Sequence, residues 1–244
     1  KELENKLKCN QFSVNLIHGI TGSGKTEIYI KLVEQLLKQK KSALILVPEI
    51  VLTPETARRF KLYFNNQVGI WNSSMTRAEK RWTRDNLTNQ KLKIIVGTRS
   101  SVFLPIQNLS TIIVDEEHDA SYKQAEGMPT YNARDIAIIR AQNLNIPVIL
   151  GSATPSIESY YNSSSGKYNF YELMERYGSA TYPEVELMNM FDEIEKDQIF
   201  SQNLIDNISD RLIKNEQIIL LHNRRGYASI LFCSNCNYIF TSSK

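Results

Sequence analysis

Gly19-Ile20-Thr21-Gly22-Ser23-Gly24-Lys25-Thr26 meets the pattern G-x-x-x-x-G-K-[ST] at every fixed position. Glycines in such a loop let successive backbone N–H groups turn inward on the α- and β-phosphates of a nucleotide. The lysine reaches the β- and γ-phosphates, and the threonine hydroxyl is placed for Mg²⁺. The flanks supply the context the pattern requires. Val14-Asn15-Leu16-Ile17-His18 reads as a buried strand entering the loop, and Lys25 to Lys40 carries Ile28, Leu32 and Leu36 at helical spacing. Strand, loop and helix in that order define a nucleotide-binding unit, and a chance Gly/Ser-rich turn is disfavoured.

Moving outward, Ser42 to Val47 is a continuous apolar run closed by Pro48, as expected of a strand buried on both faces. Thr53 then offers an N-cap with Pro54 at the first helical position, and Ala57, Phe60 and Phe64 share one helical face. Val68–Ile70, Lys93–Val96, Thr111–Val114 and Pro147–Leu150 are further short apolar runs, with helical patterns over Arg77–Leu87 and Ala133–Asn143. Strands alternating with helices predict an α/β fold with a mostly parallel, doubly wound sheet. Ligands of such sheets gather beyond the carboxyl ends of the strands. Between about Asn162 and Ile199 the rhythm gives way to turn-rich sequence, so a boundary is expected near Arg176. A helix over about Ser201–Lys214 and a strand at Gln217–Leu221 would restart the alternation. The expected division is therefore residues 1–176 as an ATP-binding domain and 177–244 as a linker with the incomplete start of a second α/β lobe.

Composition bounds the possibilities. With 244 residues, 42% hydrophobic and 23% charged, the chain is of ordinary globular composition. No apolar run approaches the roughly 20 residues of a membrane-spanning helix, and the first residues lack a signal-peptide core, so a cytoplasmic protein without a membrane partner is expected. Lys+Arg 29 against Asp+Glu 26 is too even a balance to indicate nucleic acid by itself; contacts with DNA must be local. Three cysteines, Cys9, Cys233 and Cys236, do not make a disulfide scaffold. The absence of an initial Met suggests an excised or processed piece of a longer protein.

Two further motifs carry chemistry. Val114-Asp115-Glu116-Glu117-His118 closes an apolar strand with adjacent carboxylates. Alone it would read as a solvated acidic turn, but beside a phosphate loop it takes the form of a Walker B site. Asp115 would hold the Mg²⁺ that bridges the phosphates, and Glu116 would orient and deprotonate water. Gly151-Ser152-Ala153-Thr154 follows the next apolar strand, which would set its hydroxyls beside Asp115 and Glu116. Ser152 and Thr154 are candidates to report the γ-phosphate to a neighbouring lobe; capping of the helix after Pro155 is an equal and compatible role.

Gly19–Thr26, Asp115–His118 and Gly151–Thr154, in this order and spacing, resemble motifs I, II and III of superfamily-two helicases. Pro48-Glu49-Ile50-Val51-Leu52-Thr53-Pro54, Gly97-Thr98-Arg99-Ser100, Asp115 to Gln124, Gly151 to Pro155 and Asn223-Arg224-Arg225-Gly226-Tyr227 narrow the resemblance to the PriA family of bacterial primosomal helicases. The resemblance runs from about Val14 to Cys236 and implies a RecA-like P-loop domain. It implies ATP and Mg²⁺ as cofactors, 3′-to-5′ movement on single-stranded and branched DNA, and a role in restart of stalled forks and primosome assembly. Lys25 and Thr26 would bind phosphates and metal, with Lys25, Asp115 and Glu116 catalytic. Thr98 and Arg99 would touch the DNA backbone. The segment Tyr122 to Tyr131 matches an aromatic-rich loop that couples DNA to ATP: Tyr122 and Tyr131 would stack on bases while Lys123 and Arg134 meet phosphates. Ordinary loop packing is the competing role for these tyrosines, and the tryptophan the family often carries around Met128–Thr130 is missing. Single-strand binding protein and primosome components are partners by resemblance only.

Cys233-Ser234-Asn235-Cys236 has the spacing of half a tetrahedral zinc site. Zinc is expected in the full-length protein, where the family carries further Cys pairs. His222 is available as a ligand but reads better as a strand residue. Without a completed second lobe the chain alone is expected to lack DNA-stimulated hydrolysis. Another superfamily-two translocase, such as a restriction or remodelling motor, or a non-motor nucleotide-binding adaptor, are the alternative readings. A pure binder has no use for Glu116 as a base.

Overall fold

The computed structural model of the chain describes residues 11–48, 54–124, 127–176, 184–189, 200–221, 231–232 and 239–240. It divides into two compact units, Lys1–Thr181 and Tyr182–Lys244.

The first unit is built on seven parallel strands. They are β1 (Ser13–Gly19), β2 (Ser42–Leu46), β3 (Val68–Trp71), β4 (Ile94–Gly97), β5 (Leu109–Asp115), β8 (Pro147–Ser152) and β9 (Asn169–Leu173), in the order β3-β4-β2-β5-β8-β1-β9. Every pairing in the sheet is parallel. The helices α1 (Lys25–Lys38), α2 (Pro54–Phe64), α3 (Arg77–Thr88), α4 (Ala133–Asn143) and α5 (Ile157–Ser164) cross between strands. A two-stranded hairpin, β6 (Lys123–Gln124) with β7 (Tyr131–Asn132), projects between β5 and α4.

Strands buried on both faces must place alternate residues in two separate cores, and they do. Leu44 and Leu46 pack with Ile112, Val114, Val148 and Leu150 on one face, covered by Leu87 of α3 and the stripe Ala133, Ala137, Ala141 of α4. Ala43, Ile45, Ile113 and Ile149 point to the other face, covered by Ile30, Val33 and Leu36 of α1 and Phe60 and Phe64 of α2. Each fully buried Leu, Ile or Phe contributes roughly 1.5–3 kcal/mol relative to exposure. The small alanine stripe lets α4 lie close to the sheet, which fixes where the hairpin at its N-terminus sits. At the other end, α3 starts with a full capping box: Thr76 accepts from Glu79 N while Glu79 accepts from Thr76 N.

Two expectations from the sequence change. Asn169–Leu173, in the stretch read as turn-rich with no strand assigned, is an edge strand pairing with β1 from Asn15↔Asn169 to Gly19↔Leu173. Gln217–Leu221, taken for a strand, has no strand pairing among the described residues; Ile219 and Leu221 are each 95% exposed. An apolar run becomes a strand only with a neighbour to receive its N–H and C=O groups. The second unit contributes α6 (Gln202–Ile213), capped by Ser201 accepting from Leu204 N, and a short antiparallel pair, β10 (Leu231–Phe232) with β11 (Ile239–Phe240). The Thr53 cap, residues Glu49–Leu52, His222, Asn223–Tyr227 and the pair Cys233 and Cys236 lie outside the described residues. No helix among the described residues is long and apolar enough to cross a membrane.

Candidate active site

The carboxyl ends of β1, β5 and β8 lie side by side at the centre of the sheet, with Asp115 opposite Gly151 and His18 opposite Ser152. The topology therefore brings the phosphate loop, the acidic turn and the 151–154 loop to one edge, although about 130 residues of sequence separate the first from the last.

Gly22 and Gly24 adopt φ of 81° and 88°, the left-handed region where only glycine is free of steric cost. These turns carry the chain round to α1, whose N-cap Gly24 has no side-chain cap. The N-terminus of α1 thus keeps N–H groups and a positive dipole end for an anion. Lys25 is buried, and its Nζ donates to Gly19 O at 2.6 Å while standing 4.0 Å from Glu116 Oε1. Ile20 to Glu27 line one cleft of about 780 Å³ together with Lys31, Arg59, Tyr63, Asp115 and Glu116.

Asp115 sits at the inner wall of that cleft. Burial, then the neighbouring Glu116 charge, pushes its carboxyl up to about 6, against the smaller opposing effects of Tyr29 and Lys25. Tyr29, fully buried on α1, donates its hydroxyl to Asp115 Oδ1 at 3.1 Å. Gly151 makes room for this bond, since a Cβ there would lie 1.7 Å from the Tyr29 hydroxyl. A buried carboxylate beside a second one and a hydroxyl of Thr26 in the same cleft form a hard-oxygen donor set of the kind Mg²⁺ takes. Burial beside a second carboxylate raises the proton affinity of Asp115, and a cation bound there would lower it again.

Glu116 has φ of 46°, a left-handed conformation that costs a non-glycine residue of the order of 1–2 kcal/mol. Its neighbours hold it there. Glu117 N donates to Gly151 O, Asp119 N to Glu116 O, and the Tyr122 hydroxyl to Asp115 O at 2.5 Å. The Glu117 carboxylate, 0% exposed, accepts from Ser156 N (2.7 Å), Ser156 Oγ (3.1 Å), Ser159 Oγ (2.8 Å) and Arg134 Nη1 (3.0 Å). Glu117 is thus a clamp between the acidic turn, the start of α5 and the start of α4. His118 bridges the rest of the edge: its Nδ1 lies 2.7 Å from Ser152 Oγ and 3.7 Å from Glu116 Oε2, and its Nε2 3.5 Å from Thr154 Oγ1.

These contacts correct several roles expected from the sequence. Tyr122 is 1% exposed and spends its hydroxyl on Asp115 O, so it has no ring face for a base. Arg134 is 14% exposed and paired with Glu117 and Asp135, which makes it an internal tie rather than a phosphate contact. Thr98 is 4% exposed and its side chain presents no surface to a strand. Capping of the helix after Pro155 falls to Ser156, not to Ser152 or Thr154. Arg99 Nη1 donates to Ser121 O and Lys123 O, both at 3.1 Å, and so ties the 98–103 turn to the base of the hairpin. Lys123 is exposed on β6, and Tyr131 on β7 is half-buried, edge-on to the exposed ring of Phe103 at 5.0 Å. The sequence reading missed Tyr29, Glu117 and Phe103. Tyr29 is one turn beyond Lys25, next to the Ile28, Leu32 and Leu36 stripe, and Glu117 stood in the quoted motif without a role assigned to it. Among the described residues no group of three or more His, Cys, Asp or Glu side chains is placed to hold a metal ion.

A parallel sheet with a phosphate loop, a buried aspartate followed by a half-buried glutamate, and a serine loop at one edge defines a RecA-like P-loop domain. The chain belongs to the family described as type III restriction enzyme, res subunit, whose model matches residues 1–157. The resemblance to the PriA family is borne out. The chain is 42% identical over 235 residues to the replication restart protein PriA of Bacillus subtilis (strain 168), covering 96% of this chain and 29% of that protein. It is 44% identical over 235 residues to that of Chlamydia pneumoniae, covering 95% and 31%. The chain thus spans about a third of the length of these relatives. Among solved structures, RecG bound to a three-way DNA junction is similar with a TM-score of 0.57 and 17% identity, covering 87% of this chain and 27% of that one; this likeness concerns the fold.

Proposed function

We propose that this chain is the ATP-binding motor lobe, followed by the opening of the second lobe, of a PriA-type 3′-to-5′ DNA helicase that acts in the cytoplasm in replication restart and primosome assembly. The observation that carries the reading is the joining of Lys25, Asp115 and Glu116 in one cleft, with His118 standing between Glu116 at 3.7 Å and Ser152 at 2.7 Å. Binding without turnover needs the lysine and the aspartate. It does not need a second carboxylate held in a strained backbone and wired to a neighbouring loop, which disfavours a passive adaptor.

Each residue has a task in this reading. The 19–26 loop and Lys25 bind the phosphates, and Thr26 and Asp115 hold Mg²⁺. Bound there, the metal would supply charge neutralisation at the β- and γ-phosphates. Glu116 takes the proton of the attacking water, and His118, Ser152 and Thr154 relay the state of that site. On the DNA side, Lys123, Tyr131 and the remaining donors of Arg99 are proposed to meet the strand, with Phe103 extending the stacking surface. Movement of the hairpin reaches the acidic turn by two anchors, Tyr122 on Asp115 and Arg134 on Glu117. Zinc on Cys233 and Cys236 with further ligands, and partnership with single-strand binding protein and primosome components, follow from the family resemblance.

The test is ATP hydrolysis and strand displacement by the protein extended to the length of its relatives. DNA-stimulated hydrolysis with unwinding of a substrate bearing a 3′ single-stranded tail is expected. Hydrolysis stimulated by duplex without unwinding would replace this reading with that of a duplex-tracking motor, and nucleotide binding without hydrolysis would leave an adaptor.

A further inference from the structure

Trp71 ends β3, in register with Gly97 of β4 at the carboxyl edge of the sheet. Its carbonyl accepts from Thr98 N at 2.9 Å, and its indole Nε1 donates to Ser100 Oγ at 3.0 Å, so the ring is fixed to the turn that bears Arg99. Two cations of α3 stand over this ring: Lys80 Nζ at 5.9 Å from its centroid and Arg84 Cζ at 6.0 Å. The carboxylates of α3 are committed elsewhere. Glu79 accepts from Thr76 N and Thr76 Oγ1 in the capping box, and Asp85 lies 3.9 Å from Arg81 Nε. Among the described residues no carboxylate lies within ion-pair distance of Lys80 or Arg84. Two like charges one helical turn apart on a single aromatic ring repel each other, and the ring quadrupole offsets only part of that cost. A bound anion removes it.

We propose that Lys80 and Arg84, held on Trp71, form a second phosphate-binding site for a nucleic-acid strand, continuing the surface of the Arg99 turn outward along α3. It rests on the reading that the chain binds DNA. The ring is already occupied by cations, so the site takes backbone phosphate rather than a stacked base, and binds without regard to sequence. Arg84 supplies a planar fork for phosphate oxygens and Lys80 a point charge beside it.

The experiment measures binding of single strands of about five and about fifteen nucleotides, lengths that bracket ordinary single-strand site sizes, to the native chain and to the double variant Lys80→Ala/Arg84→Ala. Arg84 is exposed and Lys80 half-buried, both lie outside the nucleotide cleft, and neither has a carboxylate partner among the described residues, so the melting temperature and nucleotide binding stay close to those of the native chain. On the longer strand the slope of log affinity against log salt becomes shallower by roughly 1.4, two contacts at about 0.7 each. The variant's deficit is then about sevenfold larger at 50 mM than at 200 mM salt, whereas the short strand is bound equally by both. The charge-keeping swap Lys80→Arg/Arg84→Lys restores the slope. The chain has two tryptophans, so Trp82→Phe leaves Trp71 as its single indole, whose emission changes on adding the longer strand and not when Lys80 and Arg84 are alanine. Equal slopes for native and double variant on the longer strand overturn the site and leave the DNA reading standing. Failure of the native chain to bind either strand at 50 mM salt overturns both.

Discussion

Replacing Asp115 by Asn should make the free protein more stable while removing its chemistry. The Asp115 carboxyl is held at about 6 in the folded chain against an ordinary 3.8. A carboxylate with a raised folded pKa favours folding when protonated, so its unfavourable contribution is absent below about pH 4, grows as pH rises, and is complete above about pH 6. Two units at 1.36 kcal/mol each place that contribution near 3 kcal/mol at pH 7.5, with no discount for solvent because the group is buried. Asn keeps an oxygen for the Tyr29 hydroxyl and loses only the charge. In EDTA and without nucleotide, Asp115→Asn should raise stability at pH 7.5 by about 2–3 kcal/mol, or roughly 6–10 °C for a unit of this size. The gain should vanish near pH 4. Adding Mg²⁺ and nucleotide should reverse the order, since only the native carboxylate gains from the metal. The assay is thermal unfolding from pH 4 to 8 for both proteins. Parallel profiles across that range would refute the account of Asp115 as a charge buried in wait for a cation.

Three further outcomes follow from the same geometry. Glu116→Gln should retain nucleotide affinity while steady-state turnover in the extended protein falls by roughly 10²–10⁴-fold, as expected when a positioned base is lost; near-native turnover would sink that role. Gly151→Ala places a methyl where the Tyr29 hydroxyl now sits, so it should displace Tyr29 from Asp115 and weaken Mg²⁺-nucleotide binding, and the double variant with Tyr29→Phe should recover part of the loss; no effect in calorimetric titration would mean the packing is looser than described. Arg134→Ala leaves the Glu117 carboxylate buried without its cation and should cost about 3–5 kcal/mol of unfolding free energy, whereas Arg134→Ala with Glu117→Gln should cost less than either change predicts by addition.

The parallel, doubly covered sheet was readable because runs such as Ala43–Val47 and Ile112–Val114 are apolar at every position, the mark of burial on both faces. Asn169–Leu173 escaped notice because an edge strand is wet on one side: Asn, Glu and half-exposed aromatics give it the look of a linker. Gln217–Leu221 misled in the opposite direction, being apolar with no neighbour to pair with among the described residues. In the candidate site, the meeting of Lys25, Asp115 and Glu116 in one cleft was legible from the loop pattern and from the carboxylates at the end of an apolar strand. The supporting groups did not. Whether Tyr122 faces a base or a backbone carbonyl, and whether Arg134 meets DNA or Glu117, depends on how α4 packs, and that is set by Ala133, Ala137 and Ala141 rather than by anything local to the hairpin.

The placement of Asp115 and Gly151 on adjoining central strands has a consequence for the order in which the lobe comes apart. β5 and β8 are flanked on both sides by further strands, and their inner residues, Ile112 to Val114 and Val148 to Leu150, are completely enclosed. Their amides should exchange with deuterium only when the whole unit unfolds, while those of the two-residue strands β6 and β7 exchange through local opening. The wall that carries Asp115 therefore outlasts every partial excursion of the hairpin. In the proposed motor, a strand of DNA would tug, release and re-engage many times without Asp115 losing its place.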